Sequence, residues 1–98
     1  MANIIVHCFY TGAEEDICGF FDEMYDSGIH GEVLEEDGCM QYDYFYSASD
    51  RSVGALLEKW RDDAALSKHM NGTAMAKLQE VKARYHLETR VERFVVQD

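Results

Sequence analysis

The sequence predicts an α+β fold in the order β-α-β-β-α-β, one antiparallel sheet with its helices on one face. This is the split β-α-β or ferredoxin-like arrangement. Three observations carry the prediction. The chain opens on a strand-like stretch, Asn3 to Tyr10, that is apolar on both alternating sets. Two more such stretches, Cys39 to Tyr46 and Val53 to Trp60, follow one another across a polar loop. Stripes of helical period lie before and after that pair, and an alternating stretch, His86 to Val96, closes the chain.

Each element has a local cause. In the first strand Ile4, Val6, Cys8 and Tyr10 share one side and Ile5, His7 and Phe9 the other, the pattern of a strand covered on both faces. Thr11-Gly12-Ala13-Glu14 matches a capping box and is followed by acids suited to a helical first turn. Ile17, Phe20, Phe21 and Met24 then form an i, i+3, i+4, i+7 stripe. Gly28 is expected to end or weaken this helix, with Ile29 to Leu34 resuming it, and Asp37-Gly38 reads as a turn. The second strand places Met40, Tyr42, Tyr44 and Tyr46 on one face, and the third places Leu56, Glu58 and Trp60 together. Asp62 is suited to cap a short helix that runs to His69. Asn71-Gly72 breaks the chain, and Thr73 is placed to cap a second long helix burying Met75, Leu78, Val81 or Lys82, and Tyr85. The last strand sets Leu87, Thr89, Val91, Arg93 and Val95 against Glu88, Arg90, Glu92 and Phe94.

Ninety-eight residues form one domain, residues 1–98. Helices on one face leave the other face of the sheet bare, yet the first strand is apolar on both sides. A homodimer packed sheet on sheet is therefore expected. A net charge of −10 argues against nucleic-acid and anionic-membrane partners. No apolar run reaches the roughly 20 residues of a membrane span, and the N-terminus lacks the pattern of a signal peptide, so a cytoplasmic location is expected. Residues 1–50 carry twelve acids and no Lys or Arg, whereas residues 51–98 carry seven acids and all nine bases. Either the first half has a solvated acidic face, or acidic and basic surfaces meet between subunits. Cys8, Cys18 and Cys39 lack CxxC spacing and read as reduced thiols.

Three segments resemble the antibiotic biosynthesis monooxygenase (ABM) family of the dimeric α+β barrel superfamily. They are Asp37-Gly38-Cys39-Met40-Gln41-Tyr42-Asp43-Tyr44-Phe45, Leu56-Leu57-Glu58-Lys59-Trp60-Arg61-Asp62 and Ala65-Leu66-Ser67-Lys68-His69. The resemblance implies a dimer, a pocket between helices and sheet, and a last strand that reaches the partner subunit. Family members and close relatives include cofactor-independent oxygenases of quinols and anthrones, haem-degrading proteins, and proteins that isomerise or process small phosphorylated signals. The resemblance thus implies one fold, on which members carry different chemistries.

Oxygenation without a cofactor requires a base, a dry pocket and groups that hold a substrate anion. His69 is the leading candidate base, or else a helix-end residue bonding a last carbonyl. Glu58 either orients His69 or binds a substrate hydroxyl, or it pairs with Arg90 or Arg93. His7 is a third catalytic candidate if it faces the same pocket, and otherwise a satisfied core histidine. Trp60, Tyr42, Tyr44, Phe21, Met70 and Met75 are candidate substrate-binding residues, with core packing as the alternative for each. No two histidines have i, i+3 or i, i+4 spacing and no HExxH occurs, so no metal site and no cofactor are expected. Haem chemistry is disfavoured by the resemblance itself, because residues 73–84 hold no histidine and Ile5 stands where haem-degrading relatives have asparagine. The expected activity is a monooxygenase acting on a quinol-like or polyketide-like aromatic. An isomerase or tautomerase of a small sugar-like carbonyl signal, or a non-catalytic binding domain, is the alternative.

Overall fold

A computed structural model of the chain describes residues 2–97. The elements are β1 (Ala2–Thr11), α1 (Glu14–Asp26), α2 (Ile29–Leu34), β2 (Cys39–Tyr46), β3 (Val53–Trp60), α3 (Asp63–Met70), α4 (Thr73–Lys82) and β4 (Glu88–Gln97). The four strands form one antiparallel sheet in the order β2-β3-β1-β4. This is the ferredoxin-like α+β fold that the element order predicts.

Strand period and register decide what faces the helices. Val6 pairs with Glu58 on one side and Arg93 on the other, and Cys8 pairs with Leu56 and Val91. Ile4, Val6, Cys8 and Tyr10 are buried beneath the helices. Ile17, Phe20, Phe21 and Met24 of α1 are buried on the same core, as the stripe requires. Each such side chain contributes roughly 1.5–3 kcal/mol on burial. Phe21 packs where β3 offers no side chain: a Cβ on Gly54 would lie 2.6 Å from Phe21 Cζ. Trp60 is fully buried.

Two caps differ from the sequence expectation. Thr11 is the last residue of β1 rather than a helix cap, and α1 starts from Ala13 without a side-chain cap. The strand continues because Thr11 still pairs with Val53 and Glu88. Thr73 is the first residue of α4, after Gly72, and its hydroxyl donates to Glu32 Oε1 at 3.2 Å instead. Asp62 does cap α3, accepting from the Ala65 N–H at 2.8 Å. Gly28 and Gly38 have positive φ, 84° and 86°, and close the turns ahead of α2 and β2. Tyr85 lies beyond the end of α4, half-buried against the core. A register shift between Cys39 and Gln41 leaves Met40 exposed at the start of β2.

The helices cover β2, β3 and β1 but not β4. Val91 and Val95, which pair with Cys8 and Ile4, are 59% and 58% exposed. On the opposite face of the sheet Phe45, Phe94 and Val96 are exposed beside Ile5, Phe9 and Leu57. Among the described residues no helix is long and apolar enough to cross a membrane.

Candidate active site

The centre of the site is a buried histidine held between two carboxyl groups. α3 delivers His69 in its last turn, as the penultimate residue of the helix, and the residue is only 3% exposed. Its Nδ1 lies 2.7 Å from Glu36 Oε1, in the turn between α2 and β2. That turn is pinned against the start of α3. Arg61 N–H donates to Gly38 C=O at 2.8 Å, and the Arg61 guanidinium grips Asp37 through two hydrogen bonds of 3.1 and 3.0 Å. Glu36 thereby fixes the ring and leaves Nε2 pointing to the sheet, 3.9 Å from Glu58 Oε1. The Trp60 indole stacks on the imidazole at 4.5 Å, with 27° between the planes.

Glu58 is the second buried ionisable group, 6% exposed. The Trp60 indole N–H donates to Oε1 at 3.0 Å, and the Cys8 thiol donates to Oε2 at 3.5 Å. Burial pushes the Glu58 carboxyl above the usual carboxylate range, opposed in part by Trp60, His69 and Cys8. Burial and the neighbouring Glu58 push the Cys8 thiol up to about 12, so it stays a neutral donor. Burial likewise raises Tyr42 and Tyr10 well above the ordinary phenol range.

His69 and Glu58 both line a cavity of about 550 Å³ between the sheet and the α3–α4 pair. Val6, Leu56, Leu66 and Leu78 make much of its wall. His69 also borders a second cavity of about 260 Å³ on the Glu36 side. An oxygen atom seated about 2.8 Å from both Nε2 and Glu58 Oε1 would bridge the gap between them. The arrangement can thus exchange a proton with a bound hydroxyl in largely apolar surroundings.

The sequence candidates divide sharply. His69, Glu58, Tyr42, Met70 and Met75 all line the larger cavity. His7 does not, because it follows Val6 on β1 and so projects to the opposite face, against Phe94 at 5.3 Å. Trp60 is core and supports Glu58 and His69 from behind. Tyr44 packs against Phe21 at 4.7 Å, and Phe21 sits over Gly54, so neither reaches the cavity. Glu58 does not pair with Arg90 or Arg93, which bind Glu92 and Asp63. His69 bonds a carboxylate rather than a helix carbonyl. Glu36, Cys8 and Tyr10 were not among the site residues that the sequence nominated. The alternation of β1 was a usable signal for the last two, since Val6 and Cys8 share a face with Glu58. Among the described residues, no three His, Cys, Asp or Glu side chains are grouped as a metal site requires.

Comparison with known proteins agrees with the fold. No curated protein matches the sequence. A solved structure of a protein of unknown function from Bacteroides thetaiotaomicron, described as a possible oxidoreductase, is similar with a TM-score of 0.85 at 22% identity, over 97% of this chain and 98% of that one. A conserved protein from Methanosarcina mazei gives 0.82 at 20% identity, covering 96% and 92%. A Deinococcus radiodurans protein, named as a candidate antibiotic biosynthesis monooxygenase, gives 0.84 at 14% identity, covering 97% and 93%. At these identities the structures share the fold. The family model for antibiotic biosynthesis monooxygenase matches residues 4–81, and the chain belongs to that family.

Proposed function

We propose that this chain is a cofactor-independent monooxygenase that oxidises a quinol-like or polyketide-like aromatic. The carrying observation is the oriented imidazole: Nδ1 is held by Glu36 at 2.7 Å and Nε2 stands at the edge of a largely apolar cavity. His69 takes a proton from the bound quinol or anthrone. Glu36 stabilises the resulting imidazolium through Nδ1–H. Glu58, when protonated, donates to the substrate oxygen, where negative charge collects. The substrate anion passes one electron to O₂, and the radical pair combines to a peroxide anion, which takes a proton from His69 and becomes a hydroperoxide. Loss of water leaves a carbonyl, so one oxygen atom enters the product and one leaves as water. Both oxygen-reducing electron pairs come from substrate, as the methylene carbon of an anthrone, or a ring C–H carbon of a quinol, becomes a carbonyl.

O₂ uptake by the purified protein with a panel of hydroquinones and anthrones tests this reading. Uptake above the buffer rate is expected, falling on the order of 100-fold in His69→Gln. Uptake at the buffer rate for the whole panel, or unchanged by the substitution, refutes it. The 3.9 Å approach of two proton-carrying groups also supports a second reading, an isomerase or tautomerase of a small carbonyl compound. Turnover of an enediol or ketone under anaerobic conditions would favour that reading.

The same proposal includes a homodimer joined through the outer sheet face. Ile5, Phe9, Leu57, Phe94 and Phe45 form an apolar surface there, and a second copy is the partner with the same pattern. Solution scattering should give twice the chain mass of 11.3 kDa. Leu57→Glu with Phe94→Glu should halve it. A wild-type monomer would refute the dimer.

A further inference from the structure

The end of the cavity away from His69 carries a different chemistry. Lys82 closes α4, and its amino group sits 5.9 Å over the ring of Tyr10. Gln79, one turn earlier on α4, and Thr89, opposite Tyr10 on β4, line the same end. Nearby cations are neutralised: Arg93 by Asp63, Lys77 by Glu32 and Arg84 by Glu23. Lys82 is not, for among the described residues no carboxylate forms an ion pair with it. The contrast is sharpest against the whole chain, whose net charge is −10 and whose first 50 residues contain no base. An anion approaching such a surface is repelled unless a local cation outweighs the general field.

We propose that this cavity takes an aromatic acid, a single carboxylate held at Lys82 and the reactive ring turned toward His69. This deepens the monooxygenase reading and takes the identity of the reactive end from it. The spacing suits such a molecule. Val6 and Tyr10 mark the two ends of the cavity floor on β1, and four residues of strand span about 13 Å. A fused aromatic body fits between them, against Leu56, Leu78 and Val91. The charge balance selects a monoanion. One uncompensated ammonium, with Asp63 on the same cavity wall, matches a carboxylate better than the double charge of a phosphate monoester. Lys82 is half-buried, so its pairing with a bound carboxylate is less screened than on the open surface.

The test is binding of three probes to the native protein under anaerobic conditions, by titration calorimetry. The probes are 1,4-dihydroxy-2-naphthoic acid, its methyl ester and 1-naphthyl phosphate. The acid should bind roughly five- to tenfold more tightly than the ester. Lys82→Met, which keeps the apolar stem, should bring the acid to the level of the ester and leave the ester unchanged. Lys82→Arg should retain the preference for the acid. Equal binding of acid and ester, a preference that survives in Lys82→Met, or no binding of any probe up to about 1 mM, overturns the proposal. Tighter binding of the phosphate overturns the assignment of a monoanion. The monooxygenase reading fails separately: Lys82-dependent binding without O₂ uptake would remove that reading and leave the acid site standing.

Discussion

Replacing Glu58 with Gln removes a titration while preserving the local hydrogen bonds. The amide oxygen can accept from the Trp60 indole N–H, and the amide nitrogen can donate to Cys8 Sγ, the two atoms that now serve the carboxyl group. The sign of the effect follows from burial, which raises the folded-state pKa of Glu58 above its unfolded value of 4.5. Such a group holds its proton more tightly when folded. Its penalty is absent below pH 4.5, grows as pH rises and is complete above the folded-state pKa. Wild type should therefore lose stability relative to Glu58→Gln across that window. The slope for one proton is at most about 1.4 kcal/mol per pH unit. In a domain of this size each 1 kcal/mol moves Tm by roughly 4–8 °C. Calorimetric melts of both proteins from about pH 4 to pH 9 should show the variant gaining several degrees and then levelling off. The same comparison in a His69→Gln background should give a larger difference, because His69 pulls the Glu58 pKa down. A difference that stays flat with pH refutes the reasoning. So does a difference of opposite sign, which would mean that the three partners outweigh burial.

Two more outcomes follow from single contacts. Gly54→Ala puts a methyl group 2.6 Å from Phe21 Cζ and 3.0 Å from Ile17 Cγ2. A loss of about 1–3 kcal/mol is expected in urea denaturation, with partial recovery in Gly54→Ala/Phe21→Leu. Glu36→Gln keeps an acceptor for His69 Nδ1–H but removes its charge. With any quinol that is turned over, kcat should fall about ten- to hundredfold at nearly constant KM, and an unchanged kcat would show that His69 gains no charge in the reaction.

The strands and their order were legible because period and punctuation agreed. The limits of Cys39–Tyr46 and Val53–Trp60 follow from alternation bounded by Asp37-Gly38 and a polar loop. His69 and Glu58 could be nominated, since an acid beside a Trp on a core face is costly unless it has a use. Glu36 could not. It stands in Glu35-Glu36-Asp37, which reads as a solvated run, and only the long-range clamp of Arg61 on Asp37 and Gly38 brings it to His69. His7 was separable by parity alone once Val6 was paired with Glu58. Phe21 and Tyr44 were not, because an apolar stripe says which face is buried but not whether it meets a cavity or a glycine. The same limit applies at the end of α4, where the stripe left Val81 and Lys82 as alternatives. Val81 is buried, and Lys82 turns to the cavity.

His69 stands in the partition between two cavities, with Nδ1 toward one and Nε2 toward the other. Entry and discharge therefore need not share a door. A ligand that fills the larger chamber leaves Glu36, whose side chain is 23% exposed, in touch with bulk water from behind. A proton on the ring can exchange with that water through Nδ1 and Glu36 while the ligand still fills the larger chamber. Under the monooxygenase reading, the proton that His69 returns to the peroxide can then be one drawn from bulk water rather than the one taken from the ligand.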